Sequence, residues 1–295
     1  MKNLFKTLLF KKVVSKFGFY FDKIEIHGVK FNDVKNSSLK DFYFNQNLEI
    51  ETFKLLKDSN YDTFIDIGAY FGYFSIFAKI KTKIKNIIAY EASPYNFNQL
   101  KKFLKLNNTN FEIFNKAVGD KKGTVKFYKP VYKEADKFPT HGTIINPNLD
   151  STSLYSGKSH ETFDVEMIPL KDILEKKVNG STLVKIDIEG YEEKSLRSVQ
   201  EYLKNSNNID FLIEILINDK NKESLFNFIK SQGFDSYLLT NAGLIHEEKP
   251  LTLPKPYGDS SKKYLRTLWK DHFFTKKDKN KINQMNKEVF KYNIN

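Results

Sequence analysis

The stretch FIDIGAYFGYFS, residues 64–75, is the part of this chain that decides the fold. An apolar run predicts a strand, and an acid, a glycine-containing turn and the start of a helix follow it. This order brings backbone N–H groups and a helix N-terminus to the carboxyl end of a strand, where parallel α/β sheets bind nucleotide-like ligands. The stretch NIIAYE, residues 86–91, predicts a second strand that ends in Glu91, about the right distance on to hold ribose hydroxyls. The two features together predict a site for a nucleoside-containing cofactor.

Strand-like and helix-like segments alternate from Thr63 onward, which predicts an α/β fold with a doubly wound, mostly parallel sheet. The predicted strands are 63–67, 86–91, 111–114, 124–128, 163–168, 182–188, 210–216 and 234–239. The predicted helices are 72–81, 94–107, 191–204 and 221–232. Pro94 suits the first position of its helix, and Gly233 suits the position after the end of the last helix.

The chain divides into three predicted parts. Residues 1–60 form a helical and extended lead-in, with helical spacing of apolar residues at 47–56, and residues 61–248 form the α/β domain. Residues 249–295 form a basic C-terminal extension. Within the domain, residues 129–160 show no periodicity, which is typical of a functional loop, and we expect this insert to face the substrate.

Composition restricts the chemistry. The 295 residues are 40% hydrophobic and 15% aromatic, which favours a well-filled core. The chain has no cysteine, so disulfides, thiolate nucleophiles and iron–sulfur clusters are excluded. Its five histidines form no close pair in the sequence, which argues against an imidazole-rich metal site.

The formal net charge of +12 raises the question of a nucleic-acid partner. Arg197 and Arg266 are the only arginines, although arginine is the usual residue for bidentate phosphate and base contacts. Residues 249–295 hold 12 basic and four acidic residues, which accounts for +8 of the charge. A solvated basic surface is therefore favoured over a binding site for a polyanion.

Residues 1–12 interleave lysines with short apolar groups. The apolar run is too short for a signal sequence, and no stretch of the chain reaches membrane-spanning length. We expect a first helix that packs on the domain, with peripheral contact to a membrane surface as the less favoured alternative. The expected location is the cytoplasm.

Four segments resemble motifs of the FkbM family of methyltransferases. DIGAYFG at 66–72 is similar to the family's D-V/I-G-A-N-x-G, and EASPYNFNQL at 91–100 is similar to E-P-x-P-x-x-F-x-x-L. Residues 115–127 resemble its N-x-A stretch with a following glycine and phenylalanine. KIDIEGYE at 185–192 closely resembles K-x-D-x-E-G-x-E. The resemblance covers roughly residues 60–240.

The resemblance implies a Rossmann-like sheet of the class I methyltransferase type, with S-adenosylmethionine as the cofactor. It implies that the acceptor is a hydroxyl group of a sugar, a glycan or another small polar metabolite. The absence of a D/N/S-P-P-Y/F motif after the strand 182–188 agrees, because that motif marks many amine-directed methyltransferases. The implied cofactor-binding residues are Asp66, Gly68, Ala69, Tyr70, Gly72, Glu91, Ala117 and Val118.

The resemblance also implies individual roles. Asp66 and Gly68 would line the methionine and sulfonium end, and Gly72 would open the helix. Glu91 would accept both ribose hydroxyls, and Ala117 with Val118 would touch the adenine.

Two positions depart from the family pattern. Tyr70 stands where the family has asparagine, and if the turn requires a positive φ, tyrosine tolerates it poorly. The turn would then be reshaped, or the ring would cover the cofactor. Ala92 replaces a proline, a change from which we expect little.

Charged residues also occur at alternate positions of the predicted strand 182–188. Because side chains alternate along a strand, Lys185, Asp187 and Glu189 are predicted to point to one side. Buried charges are costly unless they are paired or functional. Glu214, on the next strand, follows the same logic. An ion pair that only pins the sheet, and a buried acid satisfied by backbone amides, are the structural alternatives.

Methyl transfer to oxygen requires an aligned acceptor and benefits from a positioned base. Asp187 is the first candidate for that base, with Glu189 or Glu214 as orienting partners and Lys185 tuning their charge. His141, in the insert, is an alternative base. The carboxylates could instead hold a divalent cation that activates the hydroxyl, and the sequence does not decide between base and metal.

Two rival functions stay open at this point. The net charge motivates a nucleic-acid methyltransferase, which would show strongly salt-dependent binding to RNA or DNA. The tyrosine at position 70 motivates a degenerate protein that binds the cofactor, or serves as a scaffold, without catalysis.

Overall fold

The computed structural model describes residues 23–32, 49–58, 60–131, 142–149, 159–215, 222–251, 253 and 269–290. The expectations for residues 1–12 and for His141 fall outside the described residues, as does most of the insert at 129–160. Within the described ranges, no helix is both long enough and apolar enough to cross a bilayer.

Thirteen strands are described. They are β1 Lys23–Ile26, β2 Val29–Asn32, β3 Thr63–Ile67, β4 Asn86–Tyr90, β5 Glu112–Phe114, β6 Ala117–Gly119, β7 Gly123–Pro130, β8 His160–Pro169, β9 Thr182–Ile186, β10 Ile209–Glu214, β11 Asp235–Thr240, β12 Gly243–Glu247 and β13 Asp271–Thr275. The described helices are α1 Ile50–Asp58, α2 Tyr73–Lys81, α3 Pro94–Leu106, α4 Leu170–Lys177, α5 Glu192–Arg197, α6 Gln200–Asn205, α7 Lys222–Ser231 and α8 Lys279–Val289.

The central sheet has the strand order β12-β11-β13-β10-β9-β3-β4-β5. The neighbours from β10 to β5 are parallel, whereas β13 is antiparallel to both β10 and β11. Helices α1, α2, α3 and α8 contribute to the core on one face, and α4 to α7 contribute to the core on the other. The predicted doubly wound, mostly parallel α/β sheet is therefore confirmed.

The strand order reverses between β3 and β9. The chain runs from β3 to β4 and β5 on one side, and then returns to β9 on the other side of β3. In doubly wound sheets, ligands bind at this switch point, outside the carboxyl ends of the strands. The fold thus places the turns after β3, β4 and β9 around one crevice.

Two smaller sheets flank the central one. Strands β1 and β2 form an antiparallel hairpin, and β6, β8 and β7 form a three-stranded sheet. The hairpin packs on the same core as α1, α2 and α3. The three-stranded sheet has its own small core, which includes Phe127 and Met167.

The core beside α1 is built on aromatic rings. The ring of Phe53 lies 4.6 Å from that of Tyr73, 4.9 Å from that of Phe74 and 4.8 Å from that of Phe77. Two of these contacts are edge-on, an arrangement that aromatic pairs favour. Because Tyr73 and Phe74 begin α2, this cluster fixes the helix that follows the first turn.

The structure differs from the sequence-based expectation in several elements, since strands β1, β2, β6, β12 and β13 and helices α4 and α8 were not predicted. Strand β13 lies in the predicted basic extension, and no local pattern specifies that it inserts between β10 and β11. The predicted helix 191–204 is two helices, since the Ser198 hydroxyl donates to the Ser195 carbonyl oxygen at 2.6 Å and competes with the helical ladder. Strand β9 ends at Ile186 rather than at 188, because the Ile188 amide donates to the Glu192 carboxylate.

Replacing Phe53 by alanine is predicted to destabilise the fold. The side chain is fully buried at the centre of the aromatic cluster, so Phe53→Ala should cost about 3–5 kcal/mol of unfolding free energy in urea denaturation. Leu149→Ala is the matched control, because that side chain is 85% exposed and should change stability little. Equal stability of the two variants would contradict the packing described.

Candidate active site

The turn after β3 is held by the neighbouring strand. The amides of Gly68 and Ala69 both donate to the Tyr90 carbonyl oxygen at 2.9 Å. Gly72 has φ 75° and is the N-cap residue of α2, which begins at Tyr73. The N-terminus of α2 therefore lies at the carboxyl end of β3, as the sequence predicted.

Tyr70 lies in the left-handed region, with φ 55°. The turn thus requires the positive φ that asparagine tolerates better than tyrosine. The Tyr70 ring stacks on that of Phe71, with 3.9 Å between the ring centroids. The backbone amide of Tyr70 donates to Glu91 Oε2 at 2.7 Å, which joins the first turn to the end of β4.

The Glu91 carboxylate is buried and points into the turn after β3. Its Oε1 accepts from the Ser93 amide at 2.8 Å and from Asn96 Nδ2 at 3.2 Å, while Oε2 accepts from Tyr70. A carboxylate offers roughly four acceptor positions, so one remains, on Oε2. In this arrangement the Glu91 carboxylate can accept one ribose hydroxyl rather than the two that were expected. Burial raises the pKa of Glu91 to about 7.

Asp66, within β3, is 1% exposed. Its Oδ2 accepts from the Ser75 hydroxyl at 2.6 Å, and its Oδ1 has no hydrogen-bond partner among the residues that the structure describes. Burial raises the pKa of Asp66, while Lys185 and Ser75 act in the opposite direction. A buried carboxyl group thus lies beneath the first turn, next to β9.

Lys185 and Asp187 form an ion pair at the end of β9. The ammonium lies 3.0 Å from Asp187 Oδ2 and 5.5 Å from the centre of the Phe74 ring. Burial alone would lower the pKa of Lys185, but the charges of Asp187 and Asp66 raise it above its ordinary value. Lys185 therefore stays charged between the Asp66 carboxyl group, within β3, and the Asp187 carboxylate, just after β9.

The turns after β3 and β9 touch backbone to backbone. A Cβ atom on Gly68 would lie only 1.9 Å from the Asp187 carbonyl oxygen, and Gly68 has φ 83°. The Asp187 amide donates to the Ile67 carbonyl oxygen at 3.0 Å. Glycine at position 68 is therefore required by both the backbone conformation and the space.

The segment after Asp187 is a tight turn. Glu189 has φ 58° and Gly190 has φ 103°. The buried Glu192 carboxylate accepts from the Ile188 amide at 2.8 Å and from the Gly190 amide at 2.9 Å. Burial raises the pKa of Glu192 to about 8. Since Asp187 and Glu189 both lie beyond the end of β9, the strand alternation that was expected to align them with Lys185 does not apply to either. The ion pair with Lys185 places Asp187 instead.

Glu214 ends β10 and pairs with Lys270, which immediately precedes β13. Burial raises the pKa of Glu214 well above its ordinary value, and the charge of Asp187 acts in the same direction. Burial would lower the pKa of Lys270, but Glu214 and Asp187 raise it. Glu214 also lies opposite Asp271 in the antiparallel register. Two lysines, Lys185 and Lys270, thus lie among the acids at the carboxyl ends of β3, β9 and β10.

Ala117 and Val118 lie on β6 and are each 3% exposed. Ala117 packs in the core of the three-stranded sheet, and Val118 packs in the core beneath β3 and β4. Their contact with an adenine stays a prediction. No group of three or more acidic or histidine side chains is arranged to hold a metal ion within the described part of the chain.

Sequence reasoning missed several residues that support this edge. They are Ser75, Ser93, Asn96, Thr143, Lys270 and Asp271. The aromatic run at 272–274 was a signal for β13, and with that strand Lys270 and Asp271 would have been found. Ser93 precedes Pro94, a common combination at a helix start, so its capping role was also readable.

The sheet order and the crevice at its switch point are those of a Rossmann-like α/β fold. The sequence model of the family described as methyltransferase FkbM domain matches residues 66–236, which is more than half of the chain. The chain therefore belongs to the FkbM family of methyltransferases, as the motifs indicated.

Comparison with known proteins adds distant likenesses. No curated protein matches the chain significantly. Precorrin-6y C5,15-methyltransferase from Geobacter metallireducens GS-15 is 12% identical over 78% of this chain and 89% of that chain, with a TM-score of 0.43. M. jannaschii TYW2 in complex with AdoMet is 14% identical over 85% of this chain and 83% of that chain, with a TM-score of 0.37. The family assignment rests on the sequence match.

Adding one methyl group at Gly68 is predicted to disrupt the site. In Gly68→Ala the Cβ atom would collide with the Asp187 carbonyl oxygen, and the positive φ would add strain. We expect a loss of more than about 3 kcal/mol of unfolding free energy, measured in urea. Gly123→Ala is the control, since nothing lies within 4 Å of a Cβ atom there. A Gly68→Ala protein as stable as this control would contradict the close contact of the two turns.

Proposed function

We propose that this chain transfers a methyl group from S-adenosylmethionine to a hydroxyl of a sugar, a glycan or another small polar metabolite. One observation carries the proposal. The carboxylates of Asp66, Glu91 and Asp187 come from three neighbouring strands and gather around the switch point of the sheet. Glu91 would serve the cofactor, and Asp187 would serve the acceptor.

The residues present fit an adenosyl cofactor. Glu91 Oε2 has an acceptor position left for a ribose hydroxyl. The buried carboxyl group of Asp66 and the N-terminus of α2 lie beside the turn after β3. When bound, S-adenosylmethionine supplies a methyl group activated by the positive charge on its sulfur.

The acceptor side fits a hydroxyl group. Asp187 is held by Lys185 at 3.0 Å, so its carboxylate has a fixed position from which to take the proton of a reacting hydroxyl. Glu214 and Glu189 would accept hydrogen bonds from other hydroxyls of the acceptor and orient it. Fixing the acceptor in line with the methyl group is the larger part of such catalysis.

The charge of this edge favours a neutral acceptor over a nucleic acid. Both lysines, Lys185 and Lys270, are paired with carboxylates. Asp187 and Asp271 would repel a phosphate backbone that approached the crevice. Among the residues that the structure describes at these strand ends, acids therefore outnumber lysines.

The direct test is methyl transfer from labelled S-adenosylmethionine to a panel of glycans, free sugars and small polyols, with RNA and DNA as further acceptors. We expect label in a hydroxyl of a carbohydrate or polyol. Label in nucleic acid alone would contradict the acceptor class. If calorimetry detects no binding of S-adenosylmethionine and none of S-adenosylhomocysteine, the whole proposal is contradicted.

Removing the charge of Asp187 is predicted to slow the reaction. Asp187→Asn cannot take the hydroxyl proton, so turnover should fall by about a hundredfold or more, the usual scale of general acid–base catalysis. The affinity for S-adenosylmethionine should stay the same. Asp164→Asn, on an exposed pair with Lys126, is the control and should keep full turnover. Unchanged turnover in Asp187→Asn would remove that residue from the role of base.

Cofactor affinity is predicted to rise with pH through Glu91. The ionised carboxylate accepts a ribose hydroxyl, whereas the protonated form has lost acceptor capacity. The pKa of Glu91 in the protein without cofactor is about 7. The affinity for S-adenosylmethionine should therefore rise about tenfold from pH 6 to pH 8. Calorimetry on wild type and Glu91→Gln separates this from titration of the cofactor itself. Parallel pH profiles in the two proteins would show that Glu91 does not bind the ribose.

A further inference from the structure

The described part of the insert, residues 142–149, is anchored to the three-stranded sheet. Thr143 and Tyr128 form two backbone hydrogen bonds, one from the Tyr128 amide at 2.8 Å and one from the Thr143 amide at 3.1 Å. A Cβ atom on Gly142 would lie 2.5 Å from the Phe127 ring, so the backbone approaches this core residue closely. The segment therefore has a defined position relative to β7.

From this position the Thr143 side chain reaches the turn after β9. Its hydroxyl donates to the Glu189 carbonyl oxygen at 3.0 Å and accepts from the Ile145 amide at 3.1 Å. Thr143 is 2% exposed, so water does not compete for these bonds. Ile145 packs on the same turn, since its Cδ1 lies 3.1 Å from the position of a Cβ on Gly190.

The contacted residue has a conformation that needs support. Glu189 has φ 58°, and for a residue with a side chain the left-handed region costs roughly 1–2 kcal/mol. The turn is held on the inner side by the Glu192 carboxylate, which binds the amides on either side of Glu189. Tyr191, the next residue but one, donates its hydroxyl to Asp120 at 2.9 Å. Thr143 is the contact that holds the Glu189 carbonyl itself.

The conformation of Glu189 matters because of where its charge lies. Burial and Asp187 raise the pKa of Glu214, and the charge of Glu189 adds to this effect. Glu189 follows Asp187 by two residues, in the turn whose backbone meets Gly68. A shift of the Glu189 backbone would therefore redirect its carboxylate within the turn that also carries Asp187.

We propose that Thr143 is a positioning residue, which binds the Glu189 carbonyl and so fixes the direction in which the Glu189 carboxylate faces the acceptor. This inference rests on the proposed methyl transfer to a hydroxyl. The insert then has a defined function, because it fixes an acid of the acceptor pocket from outside the central sheet. Loss of the Thr143 hydroxyl alone would remove the hydrogen bond to the Glu189 carbonyl.

The test compares Thr143→Val, which keeps the shape and loses the hydroxyl, with Thr143→Ser, which keeps the hydroxyl. We expect Thr143→Val to lower kcat for the carbohydrate acceptor by roughly tenfold to a hundredfold, the scale of a misplaced acceptor-binding group. The affinity for S-adenosylmethionine should stay within about twofold, and Thr143→Ser should recover most of the lost kcat. Equal kcat in wild type and Thr143→Val would overturn the proposal.

A double-mutant cycle separates positioning from general stability. If Thr143 acts through Glu189, the Val substitution should cost little further kcat once Glu189→Gln is present. An equal loss in both backgrounds would overturn the proposal, because the hydroxyl would then act elsewhere. Thermal unfolding of all four proteins shows that each is folded at the assay temperature.

A second readout does not depend on catalysis. Exchange of the Gly190 amide with deuterated water reports opening of the turn and should be about tenfold faster in Thr143→Val than in Thr143→Ser. Equal exchange in both variants would overturn the positioning role, even in a protein that methylates no acceptor. Failure of wild type on the whole acceptor panel would instead contradict the proposed function. The two failures are therefore distinguishable.

Discussion

The contact between Gly68 and the carbonyl oxygen of Asp187 is the constraint on which the site depends. There the turn after β3 meets the turn after β9 with no room for a side chain. Because the same turn donates to Tyr90, it is fixed from both neighbouring strands. One turn thereby sets the distance between the expected cofactor carboxylate, Glu91, and the expected base, Asp187. A switch point in a doubly wound sheet supplies this geometry, and glycine makes it tight.

Electrostatics explains why so many acids can lie at one edge. Burial disfavours a charged carboxylate, and the raised pKa values of Glu91, Glu192 and Glu214 report that cost. Lys185 and Lys270 offset part of it, since each lies against a carboxylate. Backbone amides satisfy the rest, most clearly at Glu91 and Glu192. A group of buried acids that is only partly neutralised is typical of a functional site rather than of a structural ion pair.

The sequence predicted those parts of the fold that local patterns encode. Apolar runs such as 63–67 predicted strands, and the acid–glycine turn predicted the switch-point site around Asp66 and Gly68. The asparagine of the family motif raised a positive φ at position 70 only as a condition, and the structure shows that Tyr70 adopts it. Non-local geometry could not be predicted, because no local pattern pairs β13 with β10 or brings Lys270 to Glu214. The bond from Thr143 to Glu189 depends in the same way on tertiary packing, across 46 positions of the chain.

A crystal structure of the complex with S-adenosylhomocysteine tests the central claim most directly. The account predicts the adenosyl group in the crevice between β3, β4 and β9. A ribose hydroxyl should lie about 3 Å from Glu91 Oε2, and the sulfur should face the Asp187 carboxylate. Gly68 should keep its contact with the β9 turn. A ligand bound elsewhere, or a Glu91 carboxylate turned away from the ribose, would contradict the account.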